Sequence, residues 1–175
     1  MGSDVSRIWL STYRSPVGAL LLGVHDGHLC LCDWAGRARR SRIDRRLERA
    51  FSARLTKGQH PLLAEAGAQL DQYFVGKRRD FDLPLRTAGT AFQSDVWEAL
   101  AGIPYGEIRT YRQLAESLGQ PGAVRAVASA IGANALSIFL PCHRVIGSNG
   151  QLVGYAGGIE AKQGLLALES RLFVA

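Results

Sequence analysis

Long apolar runs are missing from this 175-residue sequence. None approaches the ~20 residues that span a bilayer, so no membrane partner is expected. Met1-Gly2-Ser3-Asp4 also lacks the charged-then-apolar order of a secretion signal, and the expected compartment is the cytoplasm. Cysteine is scarce: three residues, an odd number, do not make a disulfide framework and leave at least one thiol free. The chain has room for one compact domain or two small ones.

Basic charge is plentiful and unevenly spread. The net charge is +6, and residues 1–87 carry all of it, with 15 Lys+Arg against 9 Asp+Glu; residues 88–175 carry 6 of each. Nine basic and two acidic residues fall within 37–57, where Ile43, Leu47, Ala50 and Phe51 recur at helical spacing and leave the arginines outward. A solvated amphipathic helix satisfies that pattern, and so does a surface for nucleic acid or protein.

Ahead of this helix the pattern is of strands. Residues 8–13 alternate, Ser15-Pro16-Val17-Gly18 reads as a turn, and 19–24 and 29–34 follow as strands around the hairpin signal Asp26-Gly27. A second helix starts near Pro61 with Leu62, Leu63, Ala66, Leu70, Tyr73 and Phe74 on one face. Residues 84–89 read as a linker. The expected class is α+β: an N-terminal α/β domain over 1–87 with a three-stranded antiparallel sheet, then a mainly helical, winged-helix-like domain over 88–175. In the second part Thr90 with Gln93 and Thr110 with Gln113 form capping boxes. The helix opened at Thr110 ends at Gly119, Gln120-Pro121-Gly122 breaks the chain, and 123–133 resumes as a helix of small residues with one charge, Arg125. Two short helices about a tight turn predict a helix-turn-helix. The small residues alone favour a buried core helix over one that docks on a groove.

The chemistry concentrates near Cys142. A thiol is a strong nucleophile only as thiolate, and cationic or proton-accepting neighbours favour that form. His143 and Arg144 are such neighbours in Leu140-Pro141-Cys142-His143-Arg144-Val145, which follows a strand-like run over 137–140. The Gly147-Ser148-Asn149-Gly150 turn and the Gly154-Tyr155-Ala156-Gly157-Gly158 loop bring flexible backbone that approaches a flat ligand closely. Glu169, on a helix over 159–170, is placed to orient a histidine as the third member of a relay. A second group, His25, His28, Cys30 and Cys32, has metal-binding residue types. A strand would hold His28, Cys30 and Cys32 roughly 6–7 Å apart, so packing is expected there rather than a metal.

The run Pro-Cys-His-Arg-Val-Ile-Gly, the Gly-Tyr-Ala-Gly-Gly loop, the ending Leu-Leu-Ala-Leu-Glu and the opening Thr-Ala-Phe-Gln-Ser-Asp-Val-Trp together resemble the O6-alkylguanine-DNA alkyltransferase family. The resemblance covers nearly all of the second half, whereas the first half matches in layout only. It implies direct-reversal DNA repair, in which alkylated guanine (and O4-alkylthymine) is flipped out of duplex DNA and loses its alkyl group irreversibly to Cys142. By the same resemblance His143 activates the thiol through a water, Glu169 holds His143, and Asn134 supports the active-site segment. Tyr111 crowds a phosphate and hydrogen-bonds the flipped base, and Arg125 fills the gap left in the stack. The Val145 carbonyl, Tyr155 and Ala156 line the guanine pocket. The implied partner is double-stranded DNA through the minor groove, with self-association on DNA as a further expectation; no cofactor or metal is implied. Ala156 stands where vertebrate relatives have serine, and Ser137 where some relatives carry proline.

Three rivals remain at this stage. A non-catalytic alkyltransferase-like binding protein lacks the cysteine that Cys142 supplies. A promoter-binding regulator of this type carries added domains, for which 175 residues leave no room. A Cys-His-Glu hydrolase turns over repeatedly where an alkyl acceptor reacts once.

Overall fold

Ser6–Ser15 (β1) and Gly18–His25 (β2) pair antiparallel across Pro16-Val17. At this turn Ser15 Oγ accepts the Val17 N–H at 3.1 Å and donates to the Gly18 carbonyl at 2.6 Å. Asp26 and Gly27, with φ of 47° and 73°, turn β2 into His28–Trp34 (β3). Positive φ at both central residues matches the twist of a tight hairpin, which is why Asp-Gly predicts one. These elements belong to a computed structural model that describes residues 4–171; Met1–Ser3, where the N-terminal reading falls, lie outside the described residues.

The sheet extends beyond the three expected strands. Ala53–Lys57 (β4) pairs parallel to β1, Ile8 opposite Leu55, and the order is β3-β2-β1-β4. Its sequence, Ala-Arg-Leu-Thr-Lys, continues the arginine-rich stretch and is too short to show alternation, while its edge position tolerates charge. The crossover from β3 to β4 contains helix Arg40–Phe51 (α1), which buries Ile43, Leu47 and Phe51. Ala50, expected on that face, is exposed, because the buried stripe follows i, i+4 and i+8. Helix Pro61–Phe74 (α2) starts with Pro at its first turn and His60 Nδ1 accepting the Leu62 N–H at 3.0 Å. It packs across β1, β2 and β3 with Leu63, Ala66, Leu70 and Tyr73 buried, whereas Leu62 and Phe74 are only partly covered.

Cys30 and Cys32 are buried on β3, and the Cys30 thiol donates to the Gly23 carbonyl at 3.6 Å. Burial pushes that thiol up to about 12, so it is an inert packing group at neutral pH. The expected linker is anchored at its start: Leu29 N–H donates to the Pro84 carbonyl and Arg86 N–H to the Leu29 carbonyl.

The chain divides after Ala88 into two compact units. In the second, helix Ala91–Ala101 (α3) and helix Tyr111–Ser117 (α4) both begin with the expected capping boxes, at Thr90/Gln93 and Thr110/Gln113. Gly119 (φ 70°) closes α4: its N–H reaches the Glu116 carbonyl and the Gln120 N–H reaches the Ala115 carbonyl, a Schellman ending that needs glycine. Helix Val124–Gly132 (α5) packs on α3 and α4 through Val127, Ala130 and Ile131, and Trp97 Nε1 donates to the Ala130 carbonyl at 2.8 Å. The opposite face of α5, with Arg125, Ala126, Ala128 and Ser129, is exposed. The small-residue helix is thus half buried and presents a flat face to solvent. Arg109–Thr110 (β5) pairs parallel with Val145–Ile146 (β6), and helix Ile159–Arg171 (α6) ends the described chain. No helix among the described residues is long and apolar enough to cross a membrane.

Candidate active site

The segment that presents Cys142 is shaped by Asn134. Its Oδ1 accepts the Leu136 N–H at 2.9 Å and its Nδ2 donates to the Leu140 carbonyl at 3.0 Å, with the side chain 2% exposed. The two bonds bracket a tight loop in which Leu140 N–H donates to the Leu136 carbonyl and Ile138 takes a φ of 74°. Residues 137–140, expected as strand-like, therefore form a chain reversal with one Ser137–Leu140 bridge. The apolar residues that mimic a strand are buried lining of the loop. Beyond Pro141, residues Cys142–Arg144 wind into a single 3₁₀ turn, and β6 follows directly.

Cys142 opens onto a cavity of about 570 Å³. Tyr111 at the start of α4, Arg125 in the first turn of α5, Asn134, Tyr155 and Ala156 share its lining, so six of the nine expected site residues meet there. The Tyr111 hydroxyl donates to the Val153 carbonyl at 3.3 Å; burial, and next the Cys142 sulfur, raise its pKa and keep it a donor. The Gly-rich loop turns at Tyr155, where the Gly158 N–H returns to the Tyr155 carbonyl.

His143, Val145 and Glu169 lie outside the cavity lining and are almost fully buried. His143 Nε2 and Glu169 Oε1 are 2.8 Å apart. Arg144 grips the same carboxylate through Nε at 3.0 Å and Nη2 at 2.8 Å, and its Nη1 donates to the Ile103 carbonyl at 2.7 Å. Burial alone would raise the Glu169 carboxyl, but hydrogen bonds from His143 and Arg144 outweigh it and hold the group at about 2. Arg144 is a permanent cation, so Glu169 is ionised whatever the state of His143. Burial is the main influence on His143, and it lowers the pKa against the opposing pull of Glu169. The neutral ring then donates its Nε2 hydrogen to Glu169 and keeps a lone pair on Nδ1, a buried atom with no hydrogen-bond partner among the described residues. The arrangement is a neutral base with its tautomer fixed by a carboxylate, one residue from a thiol.

Residues 91–171 match the family model for the DNA-binding domain of 6-O-methylguanine DNA methyltransferase, and residues 8–87 match its ribonuclease-like domain. The chain belongs to the 6-O-methylguanine DNA methyltransferase family. A methylated-DNA–protein-cysteine methyltransferase of Mycobacterium leprae is 43% identical over 89% of this chain and 88% of its own. One from Methanosarcina barkeri is 55% identical over 60% of this chain and 66% of its own. The crystal structure of Mycobacterium tuberculosis OGT in complex with DNA superposes with a TM-score of 0.79 at 40% identity, covering 93% of each chain.

Two buried cations of this family member escaped the sequence reading as site residues. In the sequence Arg144 stands out only as a neighbour of the thiol, and nothing local marks Lys162. Lys162 is completely buried; its Nζ donates to the Val145 carbonyl at 2.6 Å and lies 6.0 Å from the ring centres of both Tyr111 and Tyr155. The Val145 carbonyl, expected to face guanine, is thus engaged by Lys162, and the Val145 side chain has no exposed surface. Burial lowers the Lys162 pKa while the Cys142 sulfur opposes that shift. The signal was present in the spacing: Lys162, Leu165 and Glu169 fall at i, i+3 and i+7, which turns these two charges of α6 toward its buried face.

Proposed function

We propose that this chain performs direct-reversal DNA repair as a methylated-DNA–protein-cysteine methyltransferase, with Cys142 as the acceptor. The Cys142 thiol gives its proton, through a water, to Nδ1 of His143, and Glu169 stabilises the imidazolium. The thiolate attacks the alkyl carbon on guanine O6: an S–C bond forms, the C–O bond breaks, and its electron pair passes to the purine. The purine takes up one proton and leaves as guanine. Lys162, a buried cation held at the Val145 carbonyl, favours the anionic form of the thiol. A thioether is a poor leaving group, so each chain reacts once. The same displacement serves O4-alkylthymine.

The single observation that carries this reading is the pairing of a cavity-lining thiol with a buried neutral imidazole locked by a carboxylate. The family's name for its relatives supplies the substrate class. A cavity of this size accommodates a nucleobase, and the base reaches it by leaving the stack at a cost of a few kcal/mol. Tyr111 and Tyr155 receive the base, Ala156 offers its backbone amide, and Arg125 takes the place left in the duplex. The flat outer face of α5 suits the minor groove, where readout is degenerate and repair at any sequence loses nothing. On this reading residues 1–87 form an N-terminal α/β domain and 88–175 the DNA-binding and alkyl-acceptor domain.

Intact mass after incubation with duplex DNA containing O6-methylguanine tests the proposal. One methyl is expected per chain, with no further uptake, and none on Cys142→Ser even though its duplex binding stays within a few fold. An unchanged mass for the parent chain would mark a binding protein without transfer, and repeated turnover would mark a hydrolase.

A further inference from the structure

We infer that the outward face of α1 is a second DNA-contacting surface, which grips the phosphate backbone without regard to sequence and supplies much of the chain's affinity for duplex. The inference rests on the DNA repair reading and adds a partner for a unit in which that reading places no chemistry.

Arg39, Arg42, Arg45 and Arg49 are exposed on and just before α1, and Arg54 is exposed on the adjoining β4. The acids nearby are already engaged. Asp33, completely buried, takes Arg37 at 3.2 Å and Arg40 at 2.8 Å; Asp44 pairs with Arg40; Glu48 accepts the Leu55 N–H at 3.0 Å. The inner arginines thus pair with Asp33 and Asp44, Glu48 is held by a backbone N–H, and the outer arginines carry no ion pair among the described residues. Arg45, Arg49 and Arg54 converge on a shallow depression of about 440 Å³ beside Ala53, which the half-buried Glu48 also lines, so three cations there face one acid. Arg42 with Arg46 and Arg45 with Arg49 stand one turn apart, where like charges repel. A helix kept only for its packing face gains nothing from that repulsion, whereas a polyanion laid along it relieves the repulsion.

The second unit makes the need concrete. Residues 88–175 have no net charge. Of the five cations over 88–170, Arg144 and Lys162 are buried and Arg109 pairs with Glu107, which leaves Arg112 and Arg125 exposed and without an ion pair among the described residues. Phosphate contacts dominate the affinity of most DNA-binding proteins, and two arginines offer few of them. The five exposed arginines between residues 39 and 54 offer more such contacts than the two of the second unit.

The test is the triple variant Arg42→Gln/Arg45→Gln/Arg49→Gln in the full chain, titrated against undamaged duplexes of two unrelated sequences at several salt concentrations. The slope of log affinity against log salt should fall by about 2 to 3, at ~0.9 per lost phosphate contact, with affinity at low salt down about tenfold or more on both sequences. Methyl uptake from the free O6-methylguanine base should match the parent, because the base has no phosphate. The melting temperature should hold or rise as the repulsion is removed, which a structural role for these arginines would not allow. A charge-matched control, Arg7→Gln/Arg14→Gln/Lys77→Gln, should leave most of the slope intact. An unchanged slope in the α1 variant, or an equal loss in the control, overturns the inference. If the parent takes no methyl from either substrate, the repair reading fails instead, so the two failures are distinct.

Discussion

Replacing Glu169 by glutamine isolates one charge at the centre of the buried network. In the parent the carboxyl is held at about 2 against an ordinary 4.5. At ~1.4 kcal/mol per pKa unit that difference is worth about 3 kcal/mol of folding stability. The loss of one partner of a buried ion pair typically costs about 3–5 kcal/mol, and Arg144 would keep only a neutral oxygen. The folded-state pKa is depressed, so this stabilisation is complete above the unfolded value and disappears as pH falls from about 4.5 through about 2. Urea unfolding should therefore show Glu169→Gln less stable by about 3 kcal/mol at neutral pH, with the gap closing below about pH 4. The transfer rate should fall as well, by roughly 10²–10⁴, because the amide still accepts the His143 Nε2 hydrogen but no longer stabilises the imidazolium. His143→Ala should lose more, since the proton acceptor itself is gone. Measured from about pH 6 to about pH 10, both variants should climb toward the parent as hydroxide ionises the thiol unaided. A variant as stable and as fast as the parent at neutral pH would refute the network as described. A folded variant whose rate stays flat and low across that range would refute the relay alone.

Arg125→Ala should slow repair of duplex DNA far more than reaction with the free base, which has no stack to leave and no gap to fill; equal losses would assign Arg125 to the pocket or to folding. Lys162→Met keeps the buried volume but removes a buried cation whose charge favours the thiolate, so transfer should slow by about tenfold or more and recover with rising pH. If instead the pH profile keeps its shape, Lys162 serves packing only. Asn134→Ala leaves the Leu136 N–H without its acceptor in the interior, at about 1–3 kcal/mol, while the Leu140 carbonyl keeps the Cys142 N–H at 2.7 Å. Thermal unfolding measures that cost, and a loss below 1 kcal/mol would mean that the loop relaxes without its bracket.

How much of this could be read from the chain follows from the range of the forces involved. Both capping boxes, the Asp26-Gly27 hairpin and the Gly119 ending depend on contacts within a few residues, and each was legible. β4 was not, because a short edge strand is defined by the partner it joins, and Ile8 lies 47 residues from Leu55. The loop at 137–140 misled for a related reason: burial makes both a strand and a tight reversal apolar, and only the bonds of Asn134 separate them. Within the site, Cys142, His143 and Glu169 could be named from a motif and a resemblance, but Arg144 and Lys162 needed a different question. A cation that a solvated helix would point outward is ordinary. A cation at i−7 from a glutamate already expected to be buried shares that glutamate's face, and it must find either a carbonyl or an anion there. Lys162 finds the Val145 carbonyl at 2.6 Å. The expected relay had therefore already fixed the inner face of α6, and counting two turns back along it would have located the second charge.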